Sequence, residues 1–225
     1  MRNLGFRIEP ASPETPPEVI DLLRGKSVSH LSDVMHRSRT TGAFRLYSKS
    51  SQPMCGPAFT VRVQVGDHLL LQKSLDLARR GDVIVVDAQG FLEVAMVGEI
   101  MTRYAASRGI AGFVIDGAIR DLDYVSGQTL HVYARGVTPA GPTRRGPGEV
   151  NPIIKVGGML VAPGDVVCGD MDGLVSVPVE SAVEVAKLAD ALAEKEKASL
   201  AAIEAGNLDR TWIDTALTDN GFRAD

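Results

Sequence analysis

Two short apolar runs constrain this chain more than any other feature. Val83-Ile84-Val85-Val86 follows Gly81-Asp82 and stops at Asp87, and Ala111-Gly112-Phe113-Val114-Ile115 stops at Asp116-Gly117. The first, β-branched and bounded by turn residues, reads as a buried strand, and the second reads as another apolar strand. Between them, Ala88-Gln89-Gly90 reads as a loop. Residues 95–108 read as a helix, with Met96, Val97, Ile100, Tyr104 and Ala105 at helical spacing and Gly109 as the stop. Strand, helix, strand in that order makes a right-handed crossover of parallel strands, whose ligand crevice opens at the carboxyl ends. Asp87, the helix start near Gly98 and Arg120-Asp121 then share one sheet edge, where the chemistry is expected.

The chain's 225 residues fit one large domain, or a domain with helical arms, and its 44% apolar content suffices for a real core. A net charge of -4 with no Lys/Arg-rich block argues against nucleic acid as a direct partner. No stretch approaches a membrane span, and the N-terminus has no apolar core of a signal peptide. The two cysteines, Cys55 and Cys168, lie far apart and outside any CxxC pattern. Together these features predict a reduced, cytoplasmic protein without a structural disulfide. The four histidines have no zinc-ligand spacing with them.

Along the chain, residues 1–17 read as a loose, proline-rich arm, followed by a helix from Pro16-Pro17 to Gly25. Residues 27–35 form a second expected helix, with a hydroxyl cap at Ser27 or Ser29. Residues 41–53 look irregular, residues 56–63 alternate like a strand, and residues 67–78 are a leucine-rich helix. Residues 132–137 are a strand, and 138–148 a Pro/Gly/Arg loop. Short strands at 151–155, 159–162, 166–168 and 174–177 suggest an antiparallel or mixed second sheet. Residues 180–206 form a long helix that turns polar at Glu194-Lys195-Glu196-Lys197. Trp212 and Phe222 are possible anchors for the tail. The expected division is residues 1–26 as arm and helix, 27–178 as core, and 179–225 as C-terminal helix and tail.

Several residues suit chemistry, each with a plainer reading beside it. A guanidinium at a strand end, Arg120, can hold a carboxylate or a developing oxyanion, and the adjacent Asp121 can hold a hard divalent ion through one oxygen and several waters. The same pair also reads as a solvated loop ion pair. Backbone amides at Gly98-Glu99-Ile100-Met101 can bind a substrate carboxylate at a helix start, or Gly98 can serve packing alone. Asp87 reads as a supporting acid or a helix cap. Asp165, Asp170 and Asp172 sit in Gly-flanked turns and read as structural. Lys155 is the one Schiff-base candidate by its strand setting, although nothing nearby signals a perturbed amine. His30, His36, His68 and His131 have no matched partner in sequence, and there is no Gly-rich phosphate loop.

An ordered series of segments resembles the RraA-like family. It runs through Gly56-Pro57-Ala58-Phe59-Thr60-Val61, Gly66-Asp67, residues 81–88, Gly98-Glu99, Arg108-Gly109 and Val114-Ile115-Asp116-Gly117-Ala118-Ile119-Arg120-Asp121. It continues through Ala134-Arg135-Gly136, Asn151-Pro152, Gly157-Gly158, Pro163-Gly164-Asp165 and Gly169-Asp170-Met171-Asp172-Gly173. The resemblance implies an α/β fold, a swivelling β/β/α sandwich with N- and C-terminal helical extensions, assembled as homotrimers or homohexamers with active sites between subunits. It implies a class II 4-hydroxy-4-methyl-2-oxoglutarate aldolase that also decarboxylates oxaloacetate, releasing pyruvate through an enolate. In that scheme Gly98, Glu99, Ile100 and Met101 bind substrate through backbone amides. Arg120 binds the 2-oxo acid, and Asp121 holds Mg2+ or Mn2+ largely through waters. An acid from a neighbour's C-terminal helix, Glu196 or Glu194, completes the site. The same core resembles protein regulators of ribonuclease E, and a lyase for another oxo acid also fits. In the latter case Arg144 and Arg145 could contact a distal carboxylate, or simply belong to a solvated basic loop.

Overall fold

Both apolar runs are strands at the centre of one mixed sheet. The computed structural model describes residues 5–50 and 52–222; the outer ends of the expected arm and tail, and Ser51, lie outside the described residues. The elements in chain order are β1 (Phe6–Ile8), α1 (Pro17–Leu23), α2 (Val28–Val34), β2 (Thr40–Thr41), β3 (Arg45–Leu46), β4 (Met54–Val63), α3 (Leu69–Leu77), β5 (Val83–Val97), α4 (Glu99–Arg108), β6 (Gly112–Ile119), α5 (Leu122–Val125) and β7 (His131–Val137). There follow β8 (Gly148–Val150), β9 (Ile154–Val156), β10 (Met159–Val161), β11 (Val166–Gly169), β12 (Leu174–Val177), α6 (Ala182–Glu204) and α7 (Thr211–Asp219). Among the described residues the large sheet runs β2-β12-β11-β4-β5-β6-β7-β3, with β8 on β4 and β1 on β8, while β9 and β10 pair separately. β4 to β7 are parallel; β11, β12 and β2 form an antiparallel flank.

The apolar runs are uninterrupted because the sheet is covered on both faces. Successive side chains alternate between faces. Ile84 and Val86 pack with Phe113 and Ile115 against α3 and α4, through Leu71, Leu75, Met101 and Ala105. Val83 and Val85 point the other way with Val114, onto Ile154, Val156, Met159 and Val161 of the β9-β10 hairpin. A third core lies over the antiparallel flank, where Cys55, Val166, Cys168, Val175 and Val177 meet Leu23, Leu31, Val185, Ala186 and Ala189 of α1, α2 and α6.

Several boundaries differ from the sequence reading. Ala88-Gln89-Gly90 does not end its strand. Positive φ at Gln89 (59°) and Gly90 (70°) kinks β5, which resumes pairing at Phe91 with Gly117 and continues to Val97 with Ile119. Residues 95–97 are therefore strand, and their spacing with Ile100 was coincidental; the helix starts at Glu99. Asp116-Gly117 likewise lies inside β6. Gly117 eases a close approach there, since a Cβ would stand 3.1 Å from the Phe91 carbonyl oxygen. Asp116 is buried yet tolerated, since Arg135 Nε approaches its Oδ1 at 2.6 Å and the Gly157 amide donates to Oδ2. Asp87 sits ten residues before the strand's end, paired to Arg62 at 3.1 Å, so it does not belong to the crevice edge.

At the ends of the chain, the described part of the N-terminal arm is tied down rather than loose. β1 pairs in parallel with β8, and the Thr15 hydroxyl donates to the Gly164 carbonyl at 3.0 Å. Ser27 occupies the cap position of α2, but its hydroxyl turns to Ser29, and the Val28 amide donates instead to Asp170. Gly109 ends α4 in the left-handed conformation, as the sequence predicts. Trp212 and Phe222 are 67% and 58% exposed, so neither is buried as an anchor among the described residues.

Phe113 is fully buried between the sheet and α3-α4. Phe113→Ala should lower the unfolding free energy by about 3–5 kcal/mol in urea titration. Asp82 is buried, and burial pushes its carboxyl pKa from 3.8 up to about 6. The folded state therefore binds its proton more tightly than the unfolded chain. Stability attributable to this group is full below about pH 4 and is lost as pH rises to about 6. Asp82→Asn keeps an acceptor for the Arg79 amide, so it should stabilise the protein by up to about 3 kcal/mol near pH 8 and have little effect near pH 3.5.

Candidate functional site

The continuation of β5 and β6 past their kinks carries the chain to a crevice at the carboxyl ends of the parallel strands. β5 ends at Val97, Gly98 turns the chain, and α4 begins. β6 ends beside it at Ile119, delivering Arg120 and Asp121. Asp121 adopts a left-handed conformation (φ 57°) that folds its carboxylate back over the helix start, where Oδ2 accepts the Glu99 amide at 2.8 Å. Arg120 Nε lies 3.7 Å from the same oxygen. There is no room for a side chain at residue 98: a Cβ would stand 2.4 Å from Asp121 Oδ2 and 2.9 Å from Arg120 Cγ. Gly98 is itself extended, so close approach and not backbone strain demands glycine here.

The first helical turn leaves its amides without intrahelical acceptors. Asp121 takes that of Glu99; those of Ile100 and Met101 meet no acceptor among the described residues. Their dipole end faces the crevice and suits negative charge. The Glu99 side chain turns away along the helix to Arg103, at 2.7 Å.

The opposite wall comes from α3 and the loop between β7 and β8. His68, Gln72, Arg144 and Pro142 line the crevice together with Gly98, Ile100, Met101, Arg120 and Asp121 around a cavity of about 70 Å3. Gly141 presses on Arg120, since a Cβ there would meet Nη1 at 2.9 Å. Asp67 clips this loop to α3. Its carboxylate accepts from the Thr143 hydroxyl at 2.7 Å and from the amides of Arg145 and Leu69. Burial would raise its pKa, but these donors outweigh burial and leave it below the ordinary carboxylate value.

His68 then positions Arg144. Burial, with the charges of Arg144 and Arg120 nearby, holds its imidazole pKa below the ordinary value, despite the bond to the Met96 carbonyl. The neutral ring donates Nδ1–H to Met96 O at 3.1 Å, and Nε2 accepts Arg144 Nε–H at 3.3 Å. Two guanidinium groups, one carboxylate and two unpartnered helix amides thus converge on one small crevice. Such a site is suited to a small polyanion.

Of the residues singled out in the sequence, Gly98, Glu99, Ile100, Met101, Arg120 and Asp121 come together, and Arg144 joins them. Arg145 contributes its amide to Asp67 instead. Glu194 and Glu196 do not reach the crevice within one chain. They lie on α6, where Glu194 neighbours Lys197 and Glu196 Oε2 pairs with His30 Nε2 at 2.6 Å. Lys155 is exposed on β9 and does not line the crevice. The sequence reading missed His68, Gln72 and Asp67. The only local signal was Gly66-Asp67-His68 ahead of a leucine-rich helix; their partners in the loop after β7 lie more than seventy residues away.

The fold and this crevice define an α/β protein with an arginine-lined crevice at the carboxyl edge of a parallel sheet. The chain belongs to the RraA-like family: the Aldolase/RraA family model matches residues 28–176. A protein of Halalkalibacterium halodurans, provisionally named a 4-hydroxy-4-methyl-2-oxoglutarate aldolase, is 42% identical over 123 residues, spanning 55% of this chain and 59% of its own length. An Arabidopsis thaliana protein with the same provisional aldolase name is 31% identical over 62% of this chain and 83% of its own. A Streptomyces coelicolor structure, described as an unusual member of the RNase ES inhibitor RraA protein family, superimposes with a TM-score of 0.75 at 28% identity. It covers 84% of this chain and 98% of its own. The relatives' aldolase names support a lyase at the level of the family. Among the described residues, no helix is long and apolar enough to cross a membrane.

The tight fit around Gly98 can be tested directly. Gly98→Ala should retain the fold by circular dichroism. It should lower turnover or ligand affinity at this crevice at least about tenfold, because the new methyl displaces the Asp121 carboxylate that caps α4.

Proposed function

We propose that this protein is a divalent-metal-dependent carbon–carbon lyase that cleaves 4-hydroxy-2-oxo diacids, of the 4-hydroxy-4-methyl-2-oxoglutarate type, and decarboxylates oxaloacetate, releasing pyruvate. The observation that carries this reading is the convergence of Arg120, Arg144, Asp121 and the free amides of Ile100 and Met101 on one crevice. Arg120 offers a planar fork to the 1-carboxylate and 2-oxo group. The Ile100 and Met101 amides stabilise negative charge on the 2-oxo oxygen as the C3–C4 bond breaks and an enolate forms. Arg144, steadied by His68, suits a distal carboxylate. In the aldol reaction the C4 hydroxyl must lose its proton. His68 is not that base, since its Nε2 is engaged by Arg144; a water beside Arg120, or a helix glutamate, fits the role. Loss of CO2 from oxaloacetate reaches the same enolate without it.

The donor set favours a hard, well-hydrated divalent ion. Among the described residues no three His, Cys, Asp or Glu side chains cluster to cage an ion. The Asp121 carboxylate is about half exposed and accepts one backbone amide, leaving lone pairs free. That suits Mg2+ or Mn2+, which retains most of its waters on a single carboxylate, and not zinc. When bound, the ion supplies Lewis-acid stabilisation of developing oxyanion charge.

A cavity of about 70 Å3 encloses only part of a six-carbon diacid, and Ile100 on its rim is 82% exposed. Both features are consistent with a neighbour closing the crevice; in the proposed assembly, a homotrimer or homohexamer, Glu196 or Glu194 is the contributed acid. A second reading, a regulator of ribonuclease E, is favoured by the Streptomyces structural neighbour. A lyase for another oxo acid remains the third.

Pyruvate release from both substrates, measured with Mg2+ or Mn2+ and with EDTA, tests the proposal. Wild type should turn over only with metal, and Asp121→Ala should lose about a hundredfold or more in kcat. Arg144→Ala should raise KM for the aldol diacid about tenfold, as expected for one charge-assisted hydrogen bond. No turnover of either substrate, together with capture of ribonuclease E at micromolar concentration, would instead establish the regulator reading.

A further inference from the structure

The amino edge of the parallel sheet carries a second built feature, far from the crevice. Cys55 on β4 and Cys168 on β11 are direct cross-strand partners in an antiparallel register, and their sulfurs lie 3.6 Å apart. They are the chain's only cysteines, and both are free thiols. Although buried, Cys55 lines a cavity of about 220 Å3 with Thr15, Arg24, Arg79, Asp82 and Asn151. The polar lining and volume admit water and small polar reagents. Cys168 lies behind Cys55, fully enclosed in the third core.

The hydrogen-bonding pattern divides the roles. Cys168 S–H donates to the Cys55 sulfur, and this, with Arg24 nearby, holds the Cys55 thiol below its ordinary pKa against the effect of burial. Cys168 is pushed well above its ordinary value by the same contact and by burial. Thiolate character and access mark the cysteine that reacts first.

We infer that Cys55 and Cys168 form an intrachain site of peroxide oxidation, Cys55 being the attacking thiol and Cys168 the resolving one. Cys55 sulfur attacks one oxygen of hydrogen peroxide, the O–O bond breaks, and water leaves with Cys55 as the sulfenic acid. Cys168 sulfur then attacks Cys55 sulfur, the S–OH bond breaks, and a second water leaves. Two thiols and one peroxide become one disulfide and two waters. The sulfurs must close from 3.6 Å to a covalent S–S length, across strands whose opposed side chains ordinarily stand further apart than a disulfide prefers. A bond made under that constraint is readily reduced by small thiols.

The test is intact-mass spectrometry and thiol titration of the native, metal-free protein after one equivalent of hydrogen peroxide, followed by dithiothreitol. The expected result is loss of two hydrogens and of both thiols in a monomeric chain, reversed by reduction. Cys168→Ser should accumulate a dimedone-trappable sulfenic acid at Cys55, and Cys55→Ser should leave Cys168 unreacted. Unchanged thiols in the wild type under excess peroxide, disulfides only between chains, or direct conversion of either cysteine to irreversible oxyacids would each overturn the inference. None of these readouts depends on lyase activity.

Discussion

The parallel pairing of β5 with β6 persists past three register shifts, and the arrangement of the crevice depends on that persistence. Had β5 stopped at Asp87 and β6 at Ile115, Gly98 and Arg120 would be held by loops. Instead the ladder resumes at Phe91 with Gly117 and runs to Val97 with Ile119, so both residues leave the sheet side by side. The Asp121 carboxylate then joins the two exits by accepting the Glu99 amide. One hydrogen bond thereby fixes the start of α4, and with it the direction of the amides that face the crevice. Gly117 and Gly98 serve this geometry by letting backbone and carboxylate approach where a methyl group would crowd or collide.

The second wall is assembled by a different kind of force. Asp67 and His68 are buried polar groups, and burying them unpartnered would be strongly unfavourable. Each is satisfied from the loop after β7: Asp67 by Thr143 and Arg145, His68 by Arg144. The requirement to satisfy two buried groups therefore holds a Pro/Gly-rich loop in place and presents a guanidinium opposite Arg120. Stability and site construction are the same interactions here. At the other sheet edge the cysteine pair sits where β4 joins the antiparallel flank, so its redox chemistry is separated from the crevice by the length of the parallel strands.

Much of the fold was legible because its signals are local. Val83-Ile84-Val85-Val86, the leucines of α3, Gly109 after α4 and the length of α6 each state their structure within a few residues. The Gly98 to Met101 and Arg120-Asp121 pairing was legible through the crossover rule, which brings strand ends to one edge. The failures were equally physical. Gln89-Gly90 and Asp116-Gly117 look like chain breakers, yet they are absorbed as a kink and as a close backbone contact because the sheet is covered on both sides. Residues 95–97 satisfy helical and strand spacing alike, and the ladder with β6 decides between them.

By itself the sequence determined the parallel α/β core, the order of its elements and the one sheet edge shared by Gly98, Arg120 and Asp121. Those features follow from hydrophobic periodicity and connection handedness, which act over a few residues or one crossover. Only the tertiary structure decided that Asp87 serves Arg62, that His68 holds Arg144, that Glu196 meets His30, and that Cys55 faces Cys168. Each of those pairings joins residues 25 to 166 positions apart. Their partners are chosen by burial and sheet register, which no local pattern encodes.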